Sequence, residues 1–410
     1  MMRDGYLDIS KLTTNKNILE LFNVVAHNGG VLRFVGGAVR DALKGIKSSD
    51  LNLVTDLSPD ELVEACTDSG YDTVPLGIKQ GKIAVVIDDT QIEVSSLGKY
   101  VERDGVSNLE FTDNWEADAS TRDLTINAVY ADEKGNVFDY YNGIEDLEKG
   151  FVRFIGSAGQ RIKDDYSRIL RYFRFYSMFG VEEPNLKAIT ACAENCAGLK
   201  KLPMERIKEE LFKILQTPRA YMAYNLMQKH GILGYIMPDA EHIDDLIYLN
   251  NLDEKLSIDD EALVKMFIIY RPESSLAENM ANRLKFSRRE KEIFTDLAET
   301  KYDIEDFLNA KTLAKIVYEY GKEFARAKII TLIAEKRSFS KDILDVYNKI
   351  NDFQEKIFPL KGKDIINCGL TDYQQVGPIL KELEQIWIAS NFELTKDQLL
   401  SEVNNLKNVV

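Results

Sequence analysis

Histidine and cysteine are scarce in this sequence, which has three histidines and four cysteines among 410 residues. The cysteines, Cys66, Cys192, Cys196 and Cys368, show no CxxC spacing, so the pattern indicates neither structural zinc nor a disulfide framework. Cys192 and Cys196 share one face if their segment is helical. We expect a buried structural pair there rather than a metal or redox site.

Long apolar runs are also missing. No stretch approaches 18 uninterrupted apolar residues, and the first ten residues contain charges but no apolar run long enough for a signal peptide. We therefore expect a soluble cytoplasmic protein without a membrane partner. Hydrophobic residues make up 45% of the chain, which argues against disorder, and its length predicts two or more packed units.

Positive charge is in deficit, since the formal net charge is −15. This balance argues mildly against a nucleic-acid partner, because phosphate binding requires Lys and Arg. The deficit is uneven, however. Residues 151–216 contain 12 Lys and Arg against 8 Asp and Glu. A basic middle segment between acidic flanks suits a polyanion that is held locally.

Short runs of β-forming residues separated by turn signals occupy residues 31–155. They are VLRFVGG, DLNLVT, KIAVVID, TQIEVSSL, AVYAD and VFDYY. AVRDALKGI predicts a short helix, and SPDELVEACTDSGY predicts another with Ser58 as N-cap, Pro59 at the first helical position and Glu61 at the third. From about residue 158 the apolar positions repeat at i, i+3 and i+4. We predict an α+β head with a mixed sheet, followed by an all-α body.

Two segments of the head point to phosphate and metal chemistry. In VGGAVRDALKG, Gly36 and Gly37 allow close backbone approach to a ligand before a helix whose free N–H groups favour phosphate. In SSDLNLVTD, Asp50 and Asn52 project from the same face of a strand, where they can jointly hold Mg²⁺. Glu93 offers a third carboxylate. The alternatives are a plain tight turn and the solvated outer face of an edge strand.

Together with several later blocks, these residues resemble the class II tRNA nucleotidyltransferase/poly(A) polymerase family. TRDLTINA (121–128) is similar to the family's RRDFTINA, and KDDYSRILRYFRF (163–175) is similar to EDxxRxxRxxRF. MERIKEELFKIL resembles the neck signature, while PLKGKDIINCGL and LEQIWIASNF resemble the tail of the bacterial branch. The resemblance implies a polymerase-β-like nucleotidyltransferase head over residues 1–155. It also implies a nucleotide-selecting neck over 156–220 and an all-α body and tail that binds tRNA over 221–410.

The resemblance implies an enzyme that adds CCA to the 3′ end of tRNA from CTP and ATP with Mg²⁺, and it implies no protein partner. The catalytic residues would be Asp50, Asn52 and Glu93, with Asp50 and Asn52 as metal ligands. The nucleotide-binding residues would be Gly36, Gly37, Arg40, Asp41, Arg122, Asp123, Asn127, Asp164, Asp165, Arg168, Arg171 and Arg174. Among these, Arg40 would reach the triphosphate unless Asp41 pairs with it, and Asn127 would fix the local turn.

Asp165 and Arg168 would select the base. Positions three apart on a helix are neighbours, so Asp165, Arg168 and Arg171 are expected to form one stripe, with Arg174 continuing it. A carboxylate beside a guanidinium accepts from an amino group and donates to a ring acceptor, which suits cytosine and adenine. Uracil and guanine present a carbonyl in place of the amine and would leave buried partners unpaired. The alternative is an ordinary surface ion pair.

The sequence departs from the family pattern at Asn52, where the family has its second catalytic Asp. The metal site there loses a charge and a hard ligand, so we expect impaired catalysis. Thr121 and Leu124 also differ, and Gly98 and Lys99 stand where the family commonly has Arg. Three explanations fit Asn52: an engineered block of turnover, a natural weakened enzyme, or a non-catalytic RNA-binding or nucleotide-binding descendant. The template block itself is intact.

Several further expectations follow from the resemblance. Poly(A) addition remains an alternative, because the motifs are shared between the two activities. Residues 99–118 resemble the family's flexible loop, or else form an ordinary surface segment. With only three dispersed histidines, we expect no appended phosphohydrolase activity. A basic run in NRLKFSRREKEIF offers candidates for tRNA binding, or else is a solvated helix exterior: Arg283, Lys285, Arg288, Arg289 and Lys291.

Overall fold

The computed structural model describes most of the chain, in two compact units of residues 1–238 and 239–410. The described residues are 2–3, 6–10, 12–13, 15–46, 51–77, 80–103, 106–181, 183–237, 240–252, 256, 258, 261–370 and 373–406. Asp50 lies outside them. The boundaries predicted at residues 155 and 220 remain predictions.

A seven-stranded mixed sheet organises the first unit. The strands named in this unit are β1 (Met2–Arg3), β2 (Tyr6–Leu7), β3 (Leu32–Val35), β4 (Leu53–Thr55), β5 (Asp72–Gly77), β6 (Lys82–Ile87), β7 (Thr90–Ser96), β8 (Gly98–Arg103), β9 (Val106–Phe111), β10 (Val129–Ala131) and β11 (Val137–Asp139). The sheet order is β11-β10-β3-β4-β7-β6-β5, with β4 and β7 parallel and the other neighbours antiparallel. All six predicted strands are present, and the mixed sheet is confirmed.

The two faces of this sheet have different environments. Phe34, Leu53, Ile83 and Val94 are buried in the main core of the unit, together with side chains of the first and third helices. Because side chains alternate along a strand, the residues between them project from the opposite face. Part of that face is covered by a smaller cluster around Tyr130, and the remainder is open. The open part is where the candidate site lies.

Ten helices are described in the first unit: α1 (Lys16–His27), α2 (Gly37–Leu43), α3 (Pro59–Asp68), α4 (Trp115–Thr121), α5 (Gly143–Lys149), α6 (Ala158–Asp164), α7 (Arg168–Phe179), α8 (Leu186–Asn195), α9 (Met204–Leu215) and α10 (Ala220–Lys229). The capping box predicted at the start of α3 is present. Ser58 accepts from the Glu61 N–H, and the Glu61 side chain accepts from the Ser58 N–H. Cys192 and Cys196 are buried as predicted, and no disulfide joins any of the four cysteines.

The segment between β7 and α4 contains regular structure that the sequence pattern did not reveal. Strands β8 and β9 form an antiparallel hairpin in which Gly98 pairs with Phe111. The segment expected at 99–118 to resemble a flexible loop is therefore largely this hairpin and the first half of α4. Its alternation of polar and apolar residues is too weak to mark two strands.

The second unit is helical throughout its described elements. These are α11 (Asp245–Asn250), α12 (Glu261–Tyr270), α13 (Ser274–Arg283), α14 (Arg288–Glu299), α15 (Ile304–Leu308), α16 (Ala310–Lys336), α17 (Lys341–Lys349), α18 (Gly362–Asn367), α19 (Val376–Ala389) and α20 (Lys396–Leu406). Gly321 interrupts α16, with φ 84° and ψ 167°. None of the described helices combines the length and apolarity that crossing a bilayer requires.

Candidate active site

A cavity of about 770 Å³ opens on the uncovered face of the sheet, between β3, β4, β6 and β7 on one side and α7 and α9 on the other. Its volume is within the range of small-molecule sites. It collects thirteen of the residues predicted from the sequence: Gly36, Gly37, Arg40, Asp41, Asn52, Glu93, Arg122, Asp123, Asn127, Asp165, Arg168, Arg171 and Arg174. Asp164 is not part of this lining; its side chain accepts from Gln160 and lies 3.7 Å from Arg168.

The cavity is positively charged although the chain is acidic. Among the described residues that line it, seven are cationic and four are acidic, a formal net charge of +3 against −15 for the whole chain. The cationic residues are Arg40, Lys82, Arg122, Arg168, Arg171, Arg174 and Lys213. A concave site lined by one sign of charge concentrates ligands of the opposite sign. The cavity therefore suits a polyanion.

Five of these residues form one continuous chain of hydrogen bonds, which we call the buried network: Asp41, Arg40, Asn127, Asp123 and Arg171. Arg40 donates to Asp41 Oδ1 through Nε (2.9 Å) and Nη2 (2.7 Å), and to Asn127 Oδ1 through Nη1 (2.7 Å). Asn127 Nδ2 donates to Asp123 (3.1 Å), which also accepts from Arg171 Nε (2.7 Å). Asn127 was expected only to fix the local turn. In the structure it also connects Arg40 of α2, through Asp123, to Arg171 of α7.

Asp123 is the centre of this network and is only 6% exposed. Burial by itself would raise the pKa of its carboxyl, but Arg171, Asn127 and the Leu124 N–H together hold that pKa below its usual value. Oδ1 accepts two hydrogen bonds and Oδ2 accepts one. Since a carboxylate accepts about four, capacity remains on Oδ2 for one donor from a ligand.

Arg122 is fixed by two residues that the sequence analysis did not single out. Its Nε donates to the Tyr130 hydroxyl (3.1 Å), and its Nη2 donates to Asp118 (3.1 Å). Asp118 also accepts from Tyr130 (2.7 Å) and from the Gly98 N–H at the start of the hairpin (3.1 Å). Asp118 precedes Arg122 by four residues, a spacing that marks a helical ion pair. Tyr130 has no comparable sequence signal.

The predicted helical stripe from Asp165 to Arg171 is wrong at its first member. Asp165 is extended, with φ −155° and ψ 108°, and α7 begins only at Arg168. The Asp165 carboxylate accepts from the Ser167 N–H (3.0 Å) and from Arg206 (2.7 Å). Burial acts to raise the pKa of Asp165, but these hydrogen bonds hold it below its usual value. Motif spacing alone cannot separate a helical position from one just before a helix.

Arg168 and Arg174 continue along α7. Arg168 donates to the carbonyls of Arg161 (3.0 Å) and Thr121 (3.3 Å), which orients its guanidinium against two other segments. Arg174 lies 3.4 Å from Glu210 of α9. Burial and the neighbouring charges of Arg171 and Arg40 lower the pKa of Arg174 despite this pairing. An anion in the cavity would relieve that repulsion.

The opposite side of the cavity, which we call the sheet wall, consists of Asn52, Glu93, Lys82 and Ser95. Lys82 lies opposite Ser95 in the β6/β7 ladder, and Leu53 pairs with Val94 in the β4/β7 ladder. Continuing the second register by one residue brings Asn52 beside Glu93. The Lys82 ammonium lies 2.6 Å from Glu93 Oε1. Lys82 was not predicted as a site residue.

The oxygen atoms of the sheet wall suit a hard divalent cation. Asn52 supplies an amide oxygen and Glu93 a carboxylate, which are ligand types that Mg²⁺ accepts. No group of three or more Asp, Glu, His or Cys side chains suited to a metal occurs among the described residues. Asp50, the other predicted ligand, lies outside those residues. The amide oxygen of Asn52 and the carboxylate of Glu93 are of the right chemical type for a divalent ion. Glu93 is the one acid among the described residues of the sheet wall, whereas the family pattern leads us to expect more than one.

The basic run of the second unit is largely compensated by acids of that unit. Arg288 pairs with Glu292, Arg289 with Glu323, and Lys291 with Glu278. Arg283 and Lys285 are exposed at the junction of α13 and α14. Binding of tRNA by these five residues remains a prediction.

The amino-acid sequence of this chain is similar to two protein-family models and to known proteins. Residues 32–153 match the "Poly A polymerase head domain" model, and residues 178–243 match "Probable RNA and SrmB- binding site of polymerase A". The chain is 31% identical over 398 residues to CCA tRNA nucleotidyltransferase 1, mitochondrial, of Danio rerio, covering 94% of this chain and 90% of that protein. It is 29% identical over 389 residues to the CCA-adding enzyme of Staphylococcus saprophyticus, covering 91% and 92%.

The fold is likewise similar to solved structures. The Bacillus stearothermophilus CCA-adding enzyme in complex with CTP superimposes with a TM-score of 0.78 at 22% identity, covering 96% of this chain and 98% of that one. The Thermotoga maritima CCA-adding enzyme complexed with tRNA superimposes with a TM-score of 0.64 at 18% identity, with both chains fully covered. The predicted fold class, an α+β nucleotidyltransferase head followed by helices, is confirmed.

Proposed function

The chain belongs to the family of CCA tRNA nucleotidyltransferases, and on this basis we propose that it adds C and A residues to the 3′ end of tRNA from CTP and ATP. The observation that carries this proposal is the cavity with a formal charge of +3 in a chain of −15, in which thirteen of the residues predicted from the sequence converge. The names of the relatives support the same activity.

Base selection would rest on Asp165 and Arg168. Arg206 and the Ser167 N–H orient the Asp165 carboxylate, while two backbone carbonyls orient the Arg168 guanidinium. Side chains held in this way present one acceptor and a fork of donors, which complement the amino group and ring acceptor of cytosine or adenine. A base with a carbonyl at that position leaves the acceptor unpaired, which costs binding free energy.

Ribose and phosphate would lie against the buried network and its neighbours. The remaining capacity of Asp123 Oδ2 suits a 2′-hydroxyl donor, which favours ribonucleotides. Arg122, Arg171 and Arg174 supply positive charge for the triphosphate. The sequence left open whether Arg40 contacts the triphosphate or pairs with Asp41. Because Arg40 already donates to Asp41 and Asn127, we assign it the role of stabilising the buried network.

The reaction would be an in-line displacement at the α-phosphorus. The tRNA 3′-oxygen forms the new O–P bond, the bond to the bridging oxygen of pyrophosphate breaks, and pyrophosphate leaves with the electron pair. Glu93 is the carboxylate on the sheet wall that can accept the hydroxyl proton. Divalent metal use belongs to the nucleotidyltransferase family. We propose that Asn52 and Asp50 hold Mg²⁺, which when bound polarises the phosphate oxygens.

We further propose that Asn52 slows the chemical step while leaving nucleotide binding intact. An amide oxygen lacks the charge with which a carboxylate replaces water around Mg²⁺. The residues proposed to select the base lie on α7 and just before it, whereas Asn52 precedes strand β4. The proposed location is the cytoplasm, and residues 221–410 are proposed to hold the tRNA.

Incubation with tRNA that lacks CCA, together with labelled CTP and ATP, tests the activity. We expect extension by three nucleotides, and an Arg168→Ala variant should lose CTP-dependent incorporation. A long ladder with ATP alone would instead identify a poly(A) polymerase. CTP binding that Arg168→Ala abolishes, with no incorporation even after Asn52→Asp, would identify a nucleotide-binding protein without catalysis.

A further inference from the structure

A lysine lies in the reaction site beside the residues assigned to the metal. Lys82, on β6, lines the same cavity as Asn52 and Glu93, and its ammonium is 2.6 Å from Glu93 Oε1. None of the sequence motifs includes this lysine. It belongs to the sheet wall, where the chemistry is proposed to occur, opposite the buried network.

The sheet register directs Lys82 to this position. Ile83 and Val85, its neighbours along β6, are buried in the main core, so Lys82 and Ala84 project from the other face. Lys82 faces Ser95, and Ala84 faces Glu93, on the adjacent strand. Lys82 and Glu93 are therefore diagonal neighbours across the β6/β7 ladder, and the Lys82 ammonium reaches Glu93.

The charges of the described sheet wall cancel. Asn52 is neutral, Glu93 is negative and Lys82 is positive. A divalent cation placed here would lose part of the attraction of Glu93 and would be repelled by the ammonium. A phosphate group, in contrast, gains a cation that is present without any metal.

We propose that Lys82 is a fixed cation of the reaction site, which holds Glu93 and attracts the nucleotide phosphates, so that nucleotide binding depends less on divalent metal. The inference rests on the proposed function, because it takes the cavity to bind nucleoside triphosphate. Because residue 52 is neutral, the sheet wall has one acid fewer and binds metal more weakly. Lys82 then supplies the nucleotide phosphates with positive charge that the metal would otherwise provide. Lys82 thereby acts on ligand binding.

An ordinary surface ion pair is the competing interpretation, since the Lys82 and Glu93 side chains are 50% and 43% exposed. Such pairs contribute little to stability. The two interpretations differ in what happens when metal is removed. A surface pair has no effect on nucleotide binding, whereas a fixed cation matters most in the absence of metal.

The test is CTP binding by calorimetry, with excess EDTA and then with saturating Mg²⁺, for the wild type, Lys82→Met and Lys82→Arg. Wild-type protein should bind CTP measurably in EDTA. Lys82→Met should weaken that binding about tenfold, with a smaller loss in Mg²⁺, and Lys82→Arg should retain most of it. Mn²⁺ binding to the free protein, measured by electron paramagnetic resonance, should become tighter in Lys82→Met.

Lys16→Met is the matched control, because Lys16 forms an exposed pair with Asp88 in the same unit. It should leave both titrations unchanged. The inference is overturned if wild-type protein binds CTP only with metal, or if Lys82→Met has equal effects with and without metal or none at all. Failure of the wild type to bind CTP under either condition would instead overturn the proposed function as well.

Discussion

The buried network and the sheet wall face the same cavity but are built differently. Arg40, Asn127 and Asp123 of the network are each 6% exposed and hydrogen bond to one another. Lys82 and Glu93 of the sheet wall are about half exposed and pair only across neighbouring strands. A change in the network therefore disturbs packing, whereas a change on the sheet wall alters local charge. A neutral residue at position 52 therefore changes the charge of the sheet wall and breaks no hydrogen bond of the buried network.

The largest effect is expected at the centre of the network. Asp123→Ala removes the acceptor of Arg171, Asn127 and the Leu124 N–H and leaves a guanidinium without its partner. We expect the free energy of unfolding to fall by about 3–5 kcal/mol, measured by urea denaturation. Glu145→Ala, which removes an exposed helical pair with Lys149, serves as control and should change little. A loss in Asp123→Ala as small as that of the control would contradict a structural role for the network.

The same carboxyl gives a pH dependence. Since folding lowers the pKa of Asp123, its stabilisation is present above the ordinary aspartate value of 3.8 and is lost as the pH falls through the lower value of the folded state. Unfolding measured from pH 7 to pH 3 should show a steeper loss of stability below pH 4 in the wild type than in Asp123→Ala. Parallel curves would exclude Asp123 as a source of the pH dependence.

The next effect concerns the sheet wall. Asn52→Asp restores a charged oxygen ligand, so we expect the rate of nucleotide addition to rise on the order of 10²-fold. Single-turnover incorporation of labelled CTP measures this, and stability should change little because residue 52 is exposed. Asn351→Asp, at an exposed turn of the second unit, controls for added charge. An unchanged rate in Asn52→Asp would show that the sheet wall is not limiting.

A smaller effect is expected where the base is selected. Arg168→Lys keeps the charge but removes the fork that donates to the Arg161 and Thr121 carbonyls. We expect CTP affinity to fall about tenfold and the preference for CTP over UTP to narrow, measured by competitive binding. The control is Arg289→Lys, an exposed arginine of the second unit. Equal selectivity in Arg168→Lys and wild type would remove Arg168 from base recognition.

The smallest effect is expected in the basic run of the second unit. The Arg288 side chain is 93% exposed and already pairs with Glu292. If it contacts tRNA phosphate, Arg288→Gln should lower the slope of log affinity against log salt by about one, with only a slight loss of affinity at low salt. Filter binding across a salt series, with Lys16→Gln as control, measures both. An unaltered slope would show that Arg288 does not contact tRNA phosphate and would favour the interpretation of this run as a solvated helix exterior.

The sequence pattern predicted the secondary structure well where periodicity was strong. Six of the seven strands of the main sheet and the Ser58 capping box follow from alternation and cap chemistry. The β8–β9 hairpin was not predicted, because its polar and apolar residues alternate too weakly. The helical periodicity continues through Gly321, whereas α16 is interrupted there, because a positive φ, which glycine readily adopts, breaks the helical path.

The sequence predicted most of the residues that line the site, but it did not predict the hydrogen bonds and ion pairs that these residues form. The motifs identified thirteen lining residues but placed Asp165 on the wrong side of a helix start. Asp118, Tyr130 and Lys82 lie outside those motifs, and Glu210 lies in the neck block but was not singled out. Each acts through a contact with a residue that the sequence had already singled out.

The sequence by itself determined which chemical groups this protein brings to its site, including an amide at position 52. It also determined the strands and helices that bear them, because periodicity and capping are local. Only the tertiary structure decided that Arg40 reaches Asn127 across 87 residues, that Asp165 pairs with Arg206, and that Lys82 meets Glu93. Those pairings depend on strand register and helix packing, which bring distant segments together and which no local pattern specifies.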